Sequence, residues 1–133
     1  MSATNNTSAG QCIGRQTADN VSFVIINVGS NVNHNYGTAT STAGAATINA
    51  QAGVITTESL TTAAGATYAM TLANSLILST DICIATVQNG TSTTGVPVVT
   101  TSAVSAGQAV ITIQNIHASA AFNGTLKIGF FAP

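Results

Sequence analysis

Short stretches of this chain alternate residue by residue between apolar and polar or small side chains, and this two-residue period constrains the fold more than any other feature. Residues 67–73 and 125–131 are the clearest cases. The apolar side chains that share one parity in these two segments are Tyr68, Met70, Leu72, Leu126, Ile128 and Phe130. Successive side chains of a β-strand point to opposite faces of the sheet, so both segments predict strands with one buried face.

Further segments have the β-branched and apolar composition that is typical of strands. They are residues 21–28, 38–50, 54–60, 82–87, 97–104 and 109–116. The weak segment 38–50 is predicted to hold one or two short strands. Segment 109–116 alternates clearly, with Ile111 and Ile113 on one face and Val110 and Thr112 on the other. Segment 82–87 is apolar on both faces, which predicts a central strand.

Turn-forming residues separate these segments. The Asn-rich residues 30–37 predict a loop, and the pair Asn89-Gly90 predicts a tight hairpin turn. Asn123-Gly124 predicts another turn before the last strand. Pro97 lacks an amide hydrogen and is expected at the start of its strand or at a sheet edge.

The pattern as a whole predicts an all-β fold. We count seven to nine strands spaced by roughly ten residues, and no segment reads as a capped amphipathic helix. This spacing predicts a single-domain antiparallel β-sandwich, and an eight-stranded jelly roll is preferred because it limits exposed strand edges. Residues 1–19 are small, polar and aperiodic, so we predict a flexible N-terminal arm there and a β-sandwich domain over residues 20–133.

Charged residues are scarce, which restricts the classes of partner. They make up 4% of the chain, against roughly 25% of an ordinary soluble domain. The full set is Arg15, Asp19, Glu58, Asp81 and Lys127. Binding to nucleic acid or to an anionic membrane surface needs clustered Lys and Arg, so neither partner is predicted. A net charge of -1 gives little repulsion between copies, and we expect much of the surface to be covered in a permanent assembly.

The ends of the sequence and its cysteines indicate a cytosolic product. Residues 1–10 contain neither a basic start nor an apolar stretch, and no apolar run approaches the roughly 20 residues of a membrane helix. We therefore expect synthesis and folding in a cytosol. Cys12 and Cys83 match neither a redox nor a zinc spacing, and a disulfide between them is not expected. Cys83 lies in an apolar run and is predicted to be a small buried hydrophobic residue.

Few residues are available for chemistry. The titratable groups are Asp19, Glu58, Asp81, His34, His117, two cysteines and two tyrosines. Composition leaves a Ser-His-Asp arrangement open, but no G-x-S-x-G elbow or other nucleophile motif is present. A metal site formed by histidines around a symmetry axis is also open, although no carboxylate or cysteine lies at ligand spacing. The sequence predicts a protein that is not an enzyme, with no catalytic, cofactor-binding or metal-binding residues.

The individual ionisable residues have structural interpretations. His34 lies in the Asn-rich loop and is expected to be exposed, whereas His117 lies at a strand end and is expected to be packed or interfacial. Glu58 is predicted to be either solvated or hydrogen-bonded to nearby hydroxyl groups. Lys127 on a late strand is interpreted as an edge guard against unwanted strand pairing.

Two stretches resemble a known class of proteins in their character. They are residues 53–75, GVITTESLTTAAGATYAMTLANS, and residues 110–128, VITIQNIHASAAFNGTLKI. Together they resemble the small virion proteins of tailed bacteriophages, of the capsid cement or decoration type. The resemblance covers roughly residues 37–133 and leaves residues 1–36 unmatched. It implies a β-rich, often jelly-roll fold, trimers on the outer capsid surface, and reinforcement of the joints between major capsid subunits.

The leading hypothesis is therefore a capsid cement protein. It would bind the major capsid protein as a homotrimer and reside on the capsid surface of the virion after synthesis in the host cytoplasm. A phage tail-fibre or other host-recognition β-module is the alternative. A secreted adhesin or lectin ranks third, because no signal peptide is predicted. The arm at residues 2–18 is expected to become ordered on a neighbouring subunit.

Overall fold

The alternating segments form strands, and the strands make up all the regular structure that is described. In the computed structural model, which describes residues 35–133, there are eight strands and no helix. In chain order they are β1 (Tyr36–Thr40), β2 (Ala45–Thr47), β3 (Ala52–Thr56), β4 (Thr67–Ala73), β5 (Ile84–Asn89), β6 (Pro97–Ser105), β7 (Gln108–Asn115) and β8 (Leu126–Phe131). The predicted all-β class is confirmed for this part of the chain.

The strands form two four-stranded sheets. Sheet A has the order β1-β3-β8-β5 and sheet B has the order β2-β4-β7-β6. The inward-facing side chains of both sheets form one core, as the all-β sandwich requires. Its fully buried aliphatic members include Ile55, Met70, Leu72, Ile111, Ile113, Leu126 and Ile128. All of them except Ile55, whose segment shows no clear alternation, share a face with other apolar residues in the alternating segments of the sequence.

The sheets are mixed: four of the six strand pairs are antiparallel, as predicted, and two are parallel. β1 pairs with β3 in parallel, and β2 pairs with β4 in parallel. β8 pairs with β3 and β5, and β7 pairs with β4 and β6, all in the antiparallel direction. The first four described strands alternate between the two sheets. Strands two apart in sequence then lie side by side and run the same way. The jelly-roll connectivity stays a prediction.

A tight turn carries the chain from sheet A to sheet B. Thr42 and Ala45 form an isolated bridge, and Ala43 and Gly44 between them have φ angles of 51° and 75°. Two successive residues with positive φ are the signature of a type I′ turn. Alanine adopts this conformation only at a cost, so the turn needs support from the rest of the structure.

Several local predictions are confirmed and others are wrong. β4 has the predicted bounds, and Pro97 is the first residue of β6, an edge strand of sheet B. Among the described strands, however, β5 lies at the edge of sheet A rather than at its centre, and Ile84 is 62% exposed. Tyr36 begins β1, where a loop was predicted.

Two further predictions fail because they depend on which strands become neighbours. Asn89-Gly90 does not close a hairpin: β5 pairs with β8 in sheet A, whereas the next strand, β6, belongs to sheet B. Lys127 does not guard an edge, because β8 lies between β3 and β5. The predicted arm at residues 1–19, the predicted strand at 21–28, His34 and Cys12 lie outside the described residues.

Two glycines with the same backbone conformation have different surroundings. Gly95 and Gly107 both have a φ of +82°, which side-chain-bearing residues adopt only at a cost. A Cβ atom at Gly107, in the β6–β7 turn, would meet nothing within 4 Å. At Gly95 it would overlap the ring of Phe122, with Cε1 only 2.8 Å away. Phe122 is 2% exposed and packed in the core, so its ring has no free space to enter.

Alanine substitutions at these two positions therefore separate backbone strain from steric overlap. We expect Gly107→Ala to lower the free energy of unfolding by about 1 kcal/mol, the cost of the backbone conformation alone. Gly95→Ala should lower it by that amount and by roughly 1–3 kcal/mol more for overpacking. Urea denaturation of both variants measures the difference, and equal losses would contradict this account of Phe122.

Candidate functional site

The described residues contain one cluster of interacting ionisable and hydroxyl side chains, formed by Ser41, Glu58 and Tyr68. Glu58 Oε1 accepts hydrogen bonds from the Gly44 amide at 2.8 Å and from the Tyr68 hydroxyl at 3.1 Å. Its Oε2 accepts one from the Ser41 hydroxyl. The Glu58 amide donates to Ser41 Oγ at 3.1 Å. The prediction that Glu58 is hydrogen-bonded to nearby hydroxyl groups is confirmed.

The contacts of Glu58 determine its ionisation. Burial raises the pKa of the Glu58 carboxyl, but hydrogen bonds from Ser41, Gly44 and Tyr68 together lower it more, so the pKa lies below its ordinary value. Burial and the adjacent Glu58 charge raise the pKa of Tyr68 to about 12. The Ser41 hydroxyl donates to a carboxylate instead of to a histidine. Gly44 lies in the β1–β2 turn, so its hydrogen bond to Glu58 holds this turn against the residues that follow β3. Tyr68 on β4 donates to the same carboxylate.

A second polar arrangement surrounds Asn115, which is fully buried at the end of β7. Its Oδ1 accepts from the amides of Val96 at 3.0 Å and His117 at 3.1 Å. Its Nδ2 donates to the carbonyls of Thr62 at 3.1 Å and Ala120 at 2.8 Å. All four hydrogen-bonding positions of the amide are used, so Asn115 joins three loops around the end of the sandwich.

His117 belongs to the same arrangement and is partly buried, in agreement with the packed position that the sequence predicts. Its Nδ1 accepts from the backbone amides of Ser119 at 3.0 Å and Ala120 at 2.8 Å. These two bonds occupy Nδ1, so only Nε2 of this ring is left for another partner.

The remaining candidates are separate from one another. Asp81 Oδ2 accepts from the Leu78 amide at 2.8 Å. Cys83 is a free, buried cysteine, as predicted, and burial raises the pKa of its thiol. Among residues 35–133 no group of three His, Cys, Asp or Glu side chains is placed to hold a metal ion.

The outer face of sheet A, the face that points away from the core, carries an unusual set of exposed apolar side chains. Strand register places Tyr36 beside Ala52, Ala52 beside Phe131, and Phe131 beside Ile84. Tyr36 is 58% exposed, Phe131 47% and Ile84 62%. We call these four residues the apolar row. It crosses all four strands of the sheet at one end of its outer face.

A cavity adjoins the apolar row. Gly129 lies on the outer face of β8 between Phe131 and Lys127, in register with Val54 and Thr86 on the neighbouring strands. Since glycine has no side chain, a cavity of about 180 Å³ opens above it. Its lining residues are Val54, Thr86, Val87, Gln88, Lys127 and Gly129. A Cβ atom at residue 129 would lie 3.2 Å from Thr86 Cγ2, so even alanine would narrow this space.

The outer face of sheet B differs from that of sheet A. On its central strands the outward residues are Thr67, Ala69, Thr71, Ala73, Gln108, Val110, Thr112 and Gln114. None of them is charged or aromatic. This face is therefore neutral, and its small side chains and hydroxyl and amide groups allow a neighbouring surface to approach closely.

The sequence contains only part of the signal for these surfaces. The alternation over residues 125–131 correctly assigns Lys127, Gly129 and Phe131 to the face opposite the core. It does not indicate that Tyr36 lies on the same face, because Tyr36 and Phe131 are near opposite ends of the described chain. The order of the strands brings them into one register row.

Comparison with known proteins identifies no relative. No protein-family model matches the chain, and neither a curated protein nor a solved structure matches it. In residues 35–133 there is no helix of the length and apolar character needed to cross a membrane. Statements about function therefore depend on the surfaces described above.

Glu58 makes the stability of the protein depend on pH. Because its pKa is lowered on folding, its ionised form stabilises the fold fully above the ordinary glutamate pKa of about 4.3. That stabilisation is lost as the pH falls through the lowered value. We expect Glu58→Gln to lower the free energy of unfolding by about 1 kcal/mol at neutral pH. The difference from the native protein should shrink in acid.

Thermal unfolding of the native protein and of Glu58→Gln across the acidic range measures this effect. Tyr68→Phe is the control, because it removes one hydrogen bond but keeps a titrating carboxylate, and it should retain the acid dependence. A constant difference between Glu58→Gln and the native protein at every pH would contradict the assignment.

Proposed function

We propose that this chain is a non-enzymatic virion protein, a capsid cement or decoration protein of the kind found in tailed bacteriophages. In this role it binds the major capsid protein on the outer surface of the head as a homo-oligomer. A trimer is the state that the sequence resemblance implies. The observation that carries the proposal is the neutral outer face of sheet B, together with the scarcity of charge over the whole described surface.

The scarcity of charge favours permanent contact with neighbours. Residues 35–133 contain only three charged side chains, Glu58, Asp81 and Lys127. Glu58 and Asp81 already accept hydrogen bonds from their own chain. Little electrostatic repulsion opposes the approach of another neutral surface, and contacts made by hydroxyl and amide groups depend less on salt than ion pairs do.

The geometry of sheet B supports the same role. Its central strands β4 and β7 pair along seven residues, so the face is supported by a continuous hydrogen-bonded ladder. Thr, Ala and Gln side chains on that face offer close approach and hydrogen bonds without the desolvation of a charge. The binding free energy of such a contact is modest for a single copy. Many copies on one shell act together, and their combined effect resists separation of the capsid subunits.

A lysine placed in the middle of sheet B tests the proposal. Ala69 is exposed on β4, and Ala69→Lys would introduce a charge that a neutral interface cannot pair. We expect this variant to bind at least tenfold more weakly to empty shells assembled from the major capsid protein of the same genome. Co-sedimentation with the shells measures the loss, and sedimentation velocity of the free protein measures the oligomeric state.

Thr38→Lys is the matched control, because Thr38 is also exposed on a strand but lies on the outer face of sheet A. It should bind shells like the native protein. A native protein that stays monomeric and does not sediment with shells would contradict the proposed function. Equal weakening by the two lysines would contradict the assignment of the contact to sheet B.

A further inference from the structure

We propose that the outer face of sheet A is a binding site for an oligosaccharide, in which the rings of Tyr36 and Phe131 stack on two sugar units of one chain. The site consists of the apolar row and the cavity above Gly129. This proposal concerns the sheet opposite the one assigned to capsid contact and does not depend on that assignment.

The spacing of the two rings suits an extended sugar chain. Tyr36 and Phe131 lie in one register row and are separated by a single intervening strand residue, Ala52. Two strand spacings correspond to about 9.6 Å, roughly the length of a disaccharide. Strand side chains stand nearly perpendicular to the sheet, so both rings project from the same face. The methyl group of Ala52 leaves room for the sugar unit between the two stacked ones.

The chemistry of the face suits a ligand with many hydroxyl groups and little charge. Among the residues of the four described strands, Lys127 is the only charged one on the outer face of sheet A. The other outward polar residues on the described strands are Thr38, Thr40, Thr56, Thr86 and Gln88. Sugars combine apolar C–H faces with hydroxyl groups, and they match a surface that combines rings with uncharged donors and acceptors. A neutral ligand therefore leaves at most one charged side chain of these strands, Lys127, without an ionic partner.

The support beneath the rings is rigid. Phe131 belongs to β8, which is hydrogen-bonded to β3 on one side and to β5 on the other. Tyr36 belongs to β1, which pairs with β3 over five residues. Aromatic side chains have few rotamers to lose, so rings held in register bind a ligand at a small entropic cost.

The area of the apolar row argues against a second copy of this chain as the occupant. A buried aromatic residue contributes about 150–250 Å² of surface. Tyr36, Phe131 and Ile84 are each about half exposed, so together they offer on the order of 300 Å². A specific protein interface buries about 800 Å² on each partner. A sugar chain of a few units needs only the row and the cavity.

Isothermal titration calorimetry of the full-length protein with soluble cellotetraose, and separately with chitotetraose, tests the proposal. We expect millimolar or tighter binding of at least one of these linear β-1,4-linked probes. Tyr36→Ala and Phe131→Ala should each weaken this binding at least tenfold. Phe131→Tyr keeps an aromatic ring and should bind like the native protein. Ile84→Ala is the matched control, because Ile84 lies in the same row and is apolar but has no ring to stack. It should bind nearly as well as the native protein.

The alternative outcomes are distinct. Failure of both probes to bind at millimolar concentration would overturn the proposal, as would equal weakening by Ile84→Ala and Phe131→Ala. If Tyr36→Ala and Phe131→Ala instead reduce the sedimentation coefficient of the free protein while neither probe binds, the face is an interface between copies and the proposal is wrong. Ala69→Lys should bind the probes normally, so failure here is distinguishable from failure of the capsid proposal.

Discussion

The packing of two aliphatic inner faces against each other is the interaction on which the rest of the structure depends. β7 and β8 are internal strands of their sheets, and Ile111, Ile113, Leu126 and Ile128 on them have no exposed surface. Burying each such side chain stabilises the fold by about 1.5–3 kcal/mol. Because strand side chains alternate, this burial also determines which residues face outward. The surfaces proposed to bind partners are thus consequences of the same parity that builds the core.

Amide and hydroxyl side chains, more often than charged ones, make the hydrogen bonds that stabilise the loops of this protein. Asn74 donates to the Ala50 carbonyl and accepts from the Leu76 amide. Asn123 Oδ1 accepts from two consecutive backbone amides, those of Thr93 and Thr94. A buried amide with all its positions bonded avoids the large desolvation penalty of a buried charge. A chain with few ionisable groups can therefore still hold its turns in place, and it leaves its outer surfaces neutral.

The features that the sequence predicts are those set by residues close together in the chain, and the features that it does not predict depend on residues far apart in it. β4 is predicted with its observed bounds, and the residues of β7 and β8 are divided correctly between the two faces of their strands, because alternation is a local signal. The edge position of β5 is not predictable from its apolar composition. Its neighbours are decided by the path of the whole chain, and the Ile84 side chain lies on the outer face, where it is not part of the core. The parallel pairs follow from the early alternation between sheets, which no local pattern encodes.

The two outer faces of the sandwich have different chemistry, and this difference has a physical meaning. A hydrophobic side chain on an outer face contributes nothing to the core, yet Tyr36, Phe131 and Ile84 are placed in one row on sheet A. The outward residues on the central strands of sheet B are uncharged, and none of them carries a ring. The aromatic residues are few in this chain, and Phe122 and Phe130 are buried where rings fill the interior. Two others, Tyr36 and Phe131, are exposed in one register row, and the proposed sugar site depends on this placement, because neither the core nor the strand pairing requires a ring at either position.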